Sequence, residues 1–178
     1  MKLYQIKRRL EIAINTLRVN DNYLLKIDAN ERSITHKLAI YMEQTFGKNY
    51  DVDCEYNRNI GDVKRIEMIE SKLYGLSNYE VINQDKIFKD ELVERSVFPD
   101  IIVHKRGSLK NNLLIIEVKK STSSVSENYD IEKLKCYTEP NNNLNYEYGV
   151  FIKFHTSRLK YELPDIRWFN EGIEMPHK

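Results

Sequence analysis

Two short apolar runs separated by a polar turn dominate the pattern of hydrophobic and polar positions. The runs lie at 101–103 and 113–118, and the turn between them contains Gly107 and Asn111–Asn112. Apolar runs of this length, bounded by turn residues, predict strands that pair as a β-hairpin. Pro99 stands just ahead of the first run, at a strand position that tolerates its missing N–H. Both strands are apolar enough to lie deep in a sheet.

Helical periodicity appears on both sides of this hairpin. Residues 2–19 and residues 31–46 each place apolar side chains along one helical face. A capping-box pattern that starts at Asp28 predicts the beginning of the second helix, and Gly47 predicts its end. A third helix is expected between the second hairpin strand and Pro140.

Three further segments complete a predicted mixed sheet. Residues 50–57 alternate apolar and polar side chains, which predicts a half-buried strand with Asp53 on its solvent-facing side. Residues 146–154 are apolar on both faces and follow the third helix, so they predict a central strand parallel to its neighbour. A short strand is expected at 166–169. The predicted fold class is therefore α/β, an α+β sandwich with a mixed central β-sheet flanked by helices.

Residues 58–96 interrupt this pattern and are interpreted as an insertion. The apolar spacing predicts a helix over 63–76, and the remainder is polar and irregular. The sequence does not choose between roles in covering a site, forming a homodimer and holding a partner protein. With this insertion, residues 1–178 are expected to form a single domain.

The composition limits the classes of protein that fit. The chain has 178 residues, 41% of them hydrophobic, which is enough to bury one proper core. Its 28 basic and 27 acidic residues give a net charge of +1, so a polyanionic partner would need a local basic surface. Cys54 and Cys136 stand apart from other metal-ligand residues, which disfavours a zinc or disulfide framework and suits a reducing cytoplasm. No signal sequence or membrane-spanning apolar run is apparent, so no membrane association is expected.

Charged residues stand at the ends of the two hairpin strands. Asp100 opens the first strand, and Glu117 and Lys119 share one face of the second strand through its two-residue repeat. An acidic residue two positions before a lysine occurs elsewhere in the chain too, but only this copy ends an apolar strand. Charges on such a strand are costly unless they are paired or bind a metal. The cost of burying them is the argument for a functional site.

These residues predict a metal site. The carboxylates of Asp100 and Glu117 are hard oxygen ligands of the kind that Mg²⁺ accepts while keeping several waters, and the backbone carbonyl of Val118 is a candidate third ligand. Lys119 beside the metal would favour a deprotonated water and offset negative charge on a phosphate. The alternative is an internal ion pair of Lys119 with Glu117 or Asp100. Glu31 lies on the inward face of the second helix, where the pattern alone favours a capping role over a ligand role.

Pro99–Asp100, the Glu117–Val118–Lys119 strand, and the helix and strand that follow resemble the PD-(D/E)xK nuclease superfamily and its restriction-endonuclease-like fold. The helix that carries Glu31 is similar to the Holliday-junction-resolvase-like branch, in which a helical acidic residue completes the metal site. The sequence also resembles a group of uncharacterised bacterial proteins that bear the motif. The resemblance spans roughly residues 30–154. It implies that Glu31 is a metal ligand together with Asp100 and Glu117.

This resemblance implies a nuclease that hydrolyses phosphodiester bonds of DNA through a metal-activated water. The cofactor would be Mg²⁺, with Mn²⁺ as a substitute, and the catalytic residues would be Asp100, Glu117 and Lys119. Two alternatives stay open: an RNA endonuclease with the same site, and a non-catalytic or partner-dependent nucleic-acid-binding or regulatory protein on the same fold.

Local basic residues provide candidate contacts to the nucleic acid. Lys133 and Tyr137 have the spacing of a Gln-x-x-x-Tyr motif found in one branch of the superfamily, with lysine in place of glutamine. Around the hairpin, basic residues outnumber acidic ones although the whole chain is near neutral. The predicted nucleic-acid-binding residues are Lys105, Arg106, Lys110, Lys120 and Lys133.

Overall fold

The computed structural model describes most of the chain as helices and strands. The described residues are 1–56, 58–59, 62–63, 65–69, 92–108, 110–140 and 142–176. The helices are α1 (Leu3–Lys26), α2 (Glu31–Phe46) and α3 (Asn128–Thr138), with a 3₁₀ turn at Gly47–Asn49. The strands are β1 (Asp51–Cys54), β2 (Arg58–Asn59), β3 (Asp62–Val63), β4 (Arg65–Ile69), β5 (Leu92–Ser96), β6 (Ile101–His104), β7 (Leu114–Lys120), β8 (Tyr148–Phe154), β9 (Asp165–Asn170) and β10 (Ile173–Glu174). None of the described helices is both long and apolar enough to cross a membrane.

Six of these strands form one mixed sheet in the order β1-β6-β7-β8-β9-β10. β7 and β8 run parallel, joined by a crossover through α3, whereas each other neighbouring pair is antiparallel. The predicted hairpin of β6 and β7 and the predicted parallel, central strand β8 are therefore confirmed. The predicted fold class is confirmed as well, because the described helices pack on a mixed central sheet.

Two hydrophobic cores cover the two faces of this sheet. α1 and α2 pack on one face, against side chains that include Leu114 and Ile116 of β7. α3 packs on the other face, against a core that includes Ile115. Because side chains alternate along a strand, Glu117 and Lys119 lie on the same face as Ile115 and contact α3.

A glycine allows α3 to lie close to the sheet. Gly149 of β8 lies beneath this helix, and a Cβ atom there would lie 3.2 Å from Thr138 Cγ2 and 3.3 Å from Leu134 Cδ2. The same atom would lie 3.3 Å from Phe169 Cβ of β9. Because protein interiors are close-packed, a methyl group at this position would have to push its neighbours away.

The first helix is longer than the predicted 2–19. α1 continues to Lys26 through Asp21, whose backbone dihedrals are not helical. The Asp21 carboxylate accepts a short hydrogen bond from the Tyr41 hydroxyl of α2 and forms an ion pair with Lys37 at 3.4 Å. The prediction ended too early because packing against α2 outweighs the weak helix propensity of the Asn20–Asn22 segment.

The second helix begins with a different cap from the one predicted. Its N-cap is Asn30, whose side chain accepts a hydrogen bond from the Ser33 N–H at 2.8 Å. Asp28 instead has a positive φ of 56° and accepts a hydrogen bond from the Thr122 hydroxyl at 2.7 Å. Hydrogen bonds from Thr156, Thr122 and Lys120 lower the pKa of Asp28 to about 2. The α1–α2 turn is therefore fixed to the end of β7, which the capping-box pattern did not reveal.

Two predictions between 50 and 96 are wrong. Asp53 of β1 is half-buried instead of solvent-facing, because its Oδ2 atom is hydrogen-bonded to His104 Nε2 at 2.8 Å. The helix predicted over 63–76 is contradicted at 65–69, which forms β4 and pairs with β5. Cross-strand pairing decides the conformation of this short apolar segment in spite of its helix-like spacing. Residues 70–76 lie outside the described residues.

The predicted insertion leaves the main sheet after β1 and returns at β6, which is the neighbour of β1 in that sheet. Its described parts are two antiparallel strand pairs, β2 with β3 and β4 with β5. Residues 60–61, 64 and 70–91 of this segment lie outside the described residues.

Candidate active site

The β6–β7 hairpin brings the predicted catalytic carboxylates together. Ile101 of β6 pairs with Ile116 of β7, so Asp100 and Glu117 occupy adjacent positions at the end of the ladder. The Val118 N–H donates a hydrogen bond of 2.7 Å to Asp100 Oδ2. This bond holds the Asp100 side chain against β7, beside Glu117.

Glu117 is the most deeply buried charged side chain of the site. The residue is 2% exposed, and its Oε2 atom accepts a hydrogen bond from Lys133 Nζ of α3 at 2.8 Å. Its Oε1 atom is buried and has no hydrogen-bond partner among the described residues. The Tyr137 hydroxyl, one helical turn beyond Lys133, is also buried, and no residue in the described part of the chain forms a hydrogen bond with it. An unpartnered buried carboxylate oxygen is costly, so it marks Glu117 as a candidate ligand-binding residue.

Lys119 forms an ion pair, with a partner that the sequence reasoning missed. Its Nζ atom lies 2.7 Å from Asp130 Oδ2 of α3. Asp130 Oδ1 lies 2.9 Å from Lys133 Nζ, so one carboxylate holds both lysines. Asp130 lies one helical turn before Leu134, and the helical repeat places it on the same inward face. The helical repeat, counted back from Leu134, would have identified Asp130 as a residue of the inward face. We call these five residues the carboxylate–lysine cluster: Asp100, Glu117, Lys119, Asp130 and Lys133.

Burial raises the pKa of two carboxyl groups of the cluster, those of Glu117 and Asp100. Burial raises the pKa of Glu117 to about 8, and the charges of Asp100 and Asp130 add to this effect although Lys133 opposes it. Burial likewise raises the pKa of Asp100 to about 6, against the hydrogen bond from the Val118 N–H. The two lysines therefore compensate only part of the cost of placing three carboxyl groups together.

Glu31 lies at the border of the cluster, at the first residue of α2. Burial raises the pKa of its carboxyl group, while the charge of Lys119 lowers it and that of Asp130 raises it. Glu31 also raises the pKa of Asp100. These couplings indicate that the predicted third carboxylate is near Asp100 and Lys119 in the fold.

The donor set suits a hard divalent cation. Glu117 Oε1 is an orphaned carboxylate oxygen, and Asp100 and Glu31 supply further oxygen donors nearby. Among the described residues, however, no three His, Cys, Asp or Glu side chains already converge as a metal-binding group. The carboxylates thus have the right chemistry for Mg²⁺ or Mn²⁺, but the described arrangement is held by lysines.

The predicted nucleic-acid-binding residues do not form one surface. Lys105 and Arg106 lie at the turn of the hairpin, beyond the opposite end of β6 and on the order of 15 Å from Asp100. Arg106 pairs with Asp53 through two hydrogen bonds, and Lys105 lies 3.5 Å from Asp51. We call these four residues the turn-end pairs.

The other predicted basic residues are distributed between the two ends. Lys110 is exposed near the hairpin turn. Lys120 lies at the site end of β7 and pairs with Asp28 at 3.0 Å. Lys133 is part of the carboxylate–lysine cluster, with a side chain that is 11% exposed. The local excess of basic residues is therefore largely compensated by carboxylates from β1, the α1–α2 turn and α3.

Comparisons of this chain with protein-family models, with curated proteins and with solved structures give no match.

Proposed function

We propose that the protein is a metal-dependent nuclease of the PD-(D/E)xK type that hydrolyses phosphodiester bonds of DNA. The observation that carries this proposal is the meeting of Asp100, Glu117 and Lys119 at the site end of the β6–β7 hairpin, with Glu117 buried and one of its oxygens unpartnered. A buried charge without full compensation is costly for stability, and such costs concentrate at functional sites.

The order of elements supports the same proposal. α2 carries Glu31 and precedes β1, and the β6–β7 hairpin is followed by α3 and by the parallel strand β8. This order agrees with what the resemblance to the superfamily implies for the site. Fold likeness alone does not define a substrate, so the choice of DNA rests on that resemblance.

The side chains have distinct proposed roles. Asp100, Glu117 and Glu31 would hold Mg²⁺ or Mn²⁺, a Lewis acid that polarises a phosphoryl oxygen when bound. Lys119 would place its ammonium group where negative charge develops on the phosphate. Asp130 accepts the Lys119 hydrogen bond at 2.7 Å and so fixes the direction of that ammonium group. The cluster lies on the face of the sheet that α3 and its hydrophobic core cover, where burial strengthens the interactions between charges.

A second candidate function is non-catalytic or partner-dependent nucleic-acid binding on the same fold. The observation that favours it is that Lys119 and Lys133 already pair with Asp130 and Glu117. An RNA endonuclease would use the same residues as the DNA enzyme.

In each case a cytoplasmic location fits, since Cys54 and Cys136 do not form a disulfide.

Cleavage assays with matched variants test the proposal. The purified protein would be incubated with Mg²⁺ or Mn²⁺ and with linear, circular, branched and single-stranded DNA, and with RNA. We expect DNA cleavage that Lys119→Ala and Glu117→Gln reduce by about 10²-fold or more, because Lys119→Ala removes the ammonium group that acts on the reacting phosphate and Glu117→Gln removes a charged ligand of the proposed metal. Lys135→Ala is the control, since Lys135 lies on the same helix and pairs with Glu132 outside the cluster.

The outcomes separate the candidate functions. Cleavage of RNA alone would assign the RNA endonuclease. Binding of nucleic acid without cleavage in either metal would favour the non-catalytic function. Cleavage that survives Lys119→Ala would contradict the proposed site.

A further inference from the structure

Lys133 binds directly to Glu117, a carboxylate that the proposed metal ion would also use. Its Nζ atom lies 2.8 Å from Glu117 Oε2 and 2.9 Å from Asp130 Oδ1. These distances are those of direct, charge-assisted hydrogen bonds. An ammonium group and a divalent cation repel each other strongly at such short range in a buried site. Repulsion between the two cations therefore disfavours their simultaneous binding to the Glu117 carboxylate.

We propose that the Lys133 ammonium is a tethered counter-ion of Glu117 that competes with the divalent cation, so that metal binding requires Lys133 to leave Glu117. This inference rests on the proposed function, since it concerns the metal of that same site. It assigns Lys133 to the control of metal affinity, and it removes Lys133 from the set of nucleic-acid contacts.

The surroundings of Lys133 allow this exchange at low cost. Besides Glu117, the ammonium contacts Asp130 and lies 5.2 Å from the centre of the Tyr129 ring, within the range of a cation–π interaction. Lys133 can release Glu117 and keep both of these partners. Its flexible four-carbon stem permits a small displacement without movement of α3.

Asp130 stays neutralised during the exchange. Its Oδ2 atom is bound by Lys119 at 2.7 Å, and its Oδ1 atom faces Lys133. Glu117 meanwhile offers its unpartnered Oε1 atom to the incoming cation. The same arrangement accounts for the lack of a ready metal-binding group among the described residues, because Glu117 is directed toward α3 by Lys133.

Titration of Mn²⁺ into Lys133 variants tests this inference. Lys133→Gln keeps a hydrogen-bond donor near Glu117 without the charge, and Lys133→Met removes both. We expect the Kd for Mn²⁺, measured by calorimetry at a pH where the carboxylates are ionised, to fall by about tenfold or more in both variants. Lys135→Gln, on the same helix but paired with Glu132, is expected to leave the Kd unchanged. Mn²⁺ should also raise the Tm of Lys133→Gln more than that of the wild type.

Each outcome decides the inference. A Kd in Lys133→Gln that equals or exceeds the wild-type value overturns it, and so does a lack of Mn²⁺ binding to that variant. If Lys133→Met does not fold, Lys133→Gln alone decides. Tighter Mn²⁺ binding by Lys133→Gln together with no cleavage of any nucleic acid would support the inference and contradict the proposed function. Cleavage by the wild type with an unchanged Kd in Lys133→Gln would contradict the inference and support the proposed function.

Discussion

The β6–β7 hairpin carries charged residues at both ends, in surroundings that differ sharply. At the turn end, the Arg106 side chain is 57% exposed and pairs with Asp53. At the site end, the Lys133 side chain is 11% exposed and pairs with Glu117, which is itself 2% exposed. Both ends contain carboxylates with cationic partners, so a sequence pattern of charges does not distinguish them.

The pKa shifts of the two ends run in opposite directions. A backbone hydrogen bond from Arg106 lowers the pKa of Asp51, and hydrogen bonds from Arg106 and His104 lower the pKa of Asp53 although burial opposes them. Burial raises the pKa of Glu117 to about 8 and that of Asp100 to about 6. The turn end therefore stabilises the ionised form of its carboxyl groups, whereas at the site end ionisation of the carboxyl groups destabilises the fold. Such a cost is typical of residues retained for chemistry.

Removal of one cation from each end should give the largest contrast in stability. Above about pH 8, where Glu117 is ionised, Lys133→Ala is expected to lower the free energy of unfolding by about 3–5 kcal/mol, because it leaves Glu117 and part of Asp130 buried without a counter-charge. Arg106→Ala should cost about 1 kcal/mol or less, since its exposed ion pair is screened by water. Urea denaturation of the two variants beside the wild type measures both values. Equal losses would show that burial does not separate the two ends.

A divalent cation should stabilise the folded protein by binding at the site end of the hairpin alone. We expect a saturating Mn²⁺ concentration to increase the free energy of unfolding by about 1–3 kcal/mol through preferential binding to the folded state. Asp100→Asn should abolish this increase, because it replaces a charged carboxylate ligand of the proposed site with a neutral amide. Asp53→Asn should retain it, because Asp53 belongs to the turn-end pairs. Thermal melts with and without Mn²⁺ provide the measurement, and loss of the increase in Asp53→Asn would place the cation elsewhere.

The pH dependence of stability should differ in sign between the ends. The folded-state pKa of Glu117 is raised from 4.5 to about 8, so the folded form holds its proton more tightly and its stability falls as the pH rises through this interval. The lowered pKa of Asp53 contributes stability above about pH 4 that is lost on further acidification.

Two variants isolate these contributions. Between about pH 5 and pH 8, the Tm of Glu117→Gln should decline less than that of the wild type. Asp53→Asn should show a smaller loss of Tm than the wild type when the pH is lowered below about 4. A parallel decline of Glu117→Gln and the wild type would show that the carboxyl group is ionised across the whole interval.

The smallest expected effect concerns nucleic-acid binding at the turn. The salt slope of binding is the slope of the logarithm of the binding constant against the logarithm of the salt concentration. If Lys105, Arg106 and Lys110 all contacted phosphates, replacing each of them with alanine would reduce this slope by about one. Because Asp51 and Asp53 already pair with two of them, the triple alanine variant should reduce the slope by about one in total. Fluorescence anisotropy with a labelled oligonucleotide at several salt concentrations measures this slope. A reduction of about three would identify the turn as the main binding surface.

The parts of the site that lie on one hairpin could be predicted from the sequence. The two-residue repeat of a strand places Glu117 and Lys119 on one face, and a short turn brings Asp100 beside them. The pairing of Lys119 with Asp130 could not be predicted in the same way, because it depends on how α3 lies across the sheet. The pairing of Arg106 with Asp53 likewise depends on the contact between β6 and β1, whose separation in sequence spans the insertion.

Local patterns failed where tertiary contacts compete with them. Asp28 fits a capping box, yet its side chain binds Thr122 and Lys120 because the end of β7 lies beside the α1–α2 turn. Residues 65–69 fit a helical spacing, yet pairing with β5 makes them a strand. Short segments with mixed signals follow the partner that the fold supplies.

Gly149 shows that a residue without any charge can set the electrostatics of the site. It lies on β8, one strand away from Glu117, and its missing side chain allows α3 to lie close to the sheet. Leu134, which touches this glycine, is the immediate chain neighbour of Lys133. Gly149→Ala would require Leu134, Thr138 or Phe169 to shift by a few tenths of an ångström, and a shift of α3 by that amount would change the 2.8 Å hydrogen bond between Lys133 and Glu117. The hydrogen bond between Lys133 and Glu117 thus depends on the distance between α3 and the sheet. A substitution such as Gly149→Ala, which changes no charged or polar group, can alter that bond through this distance.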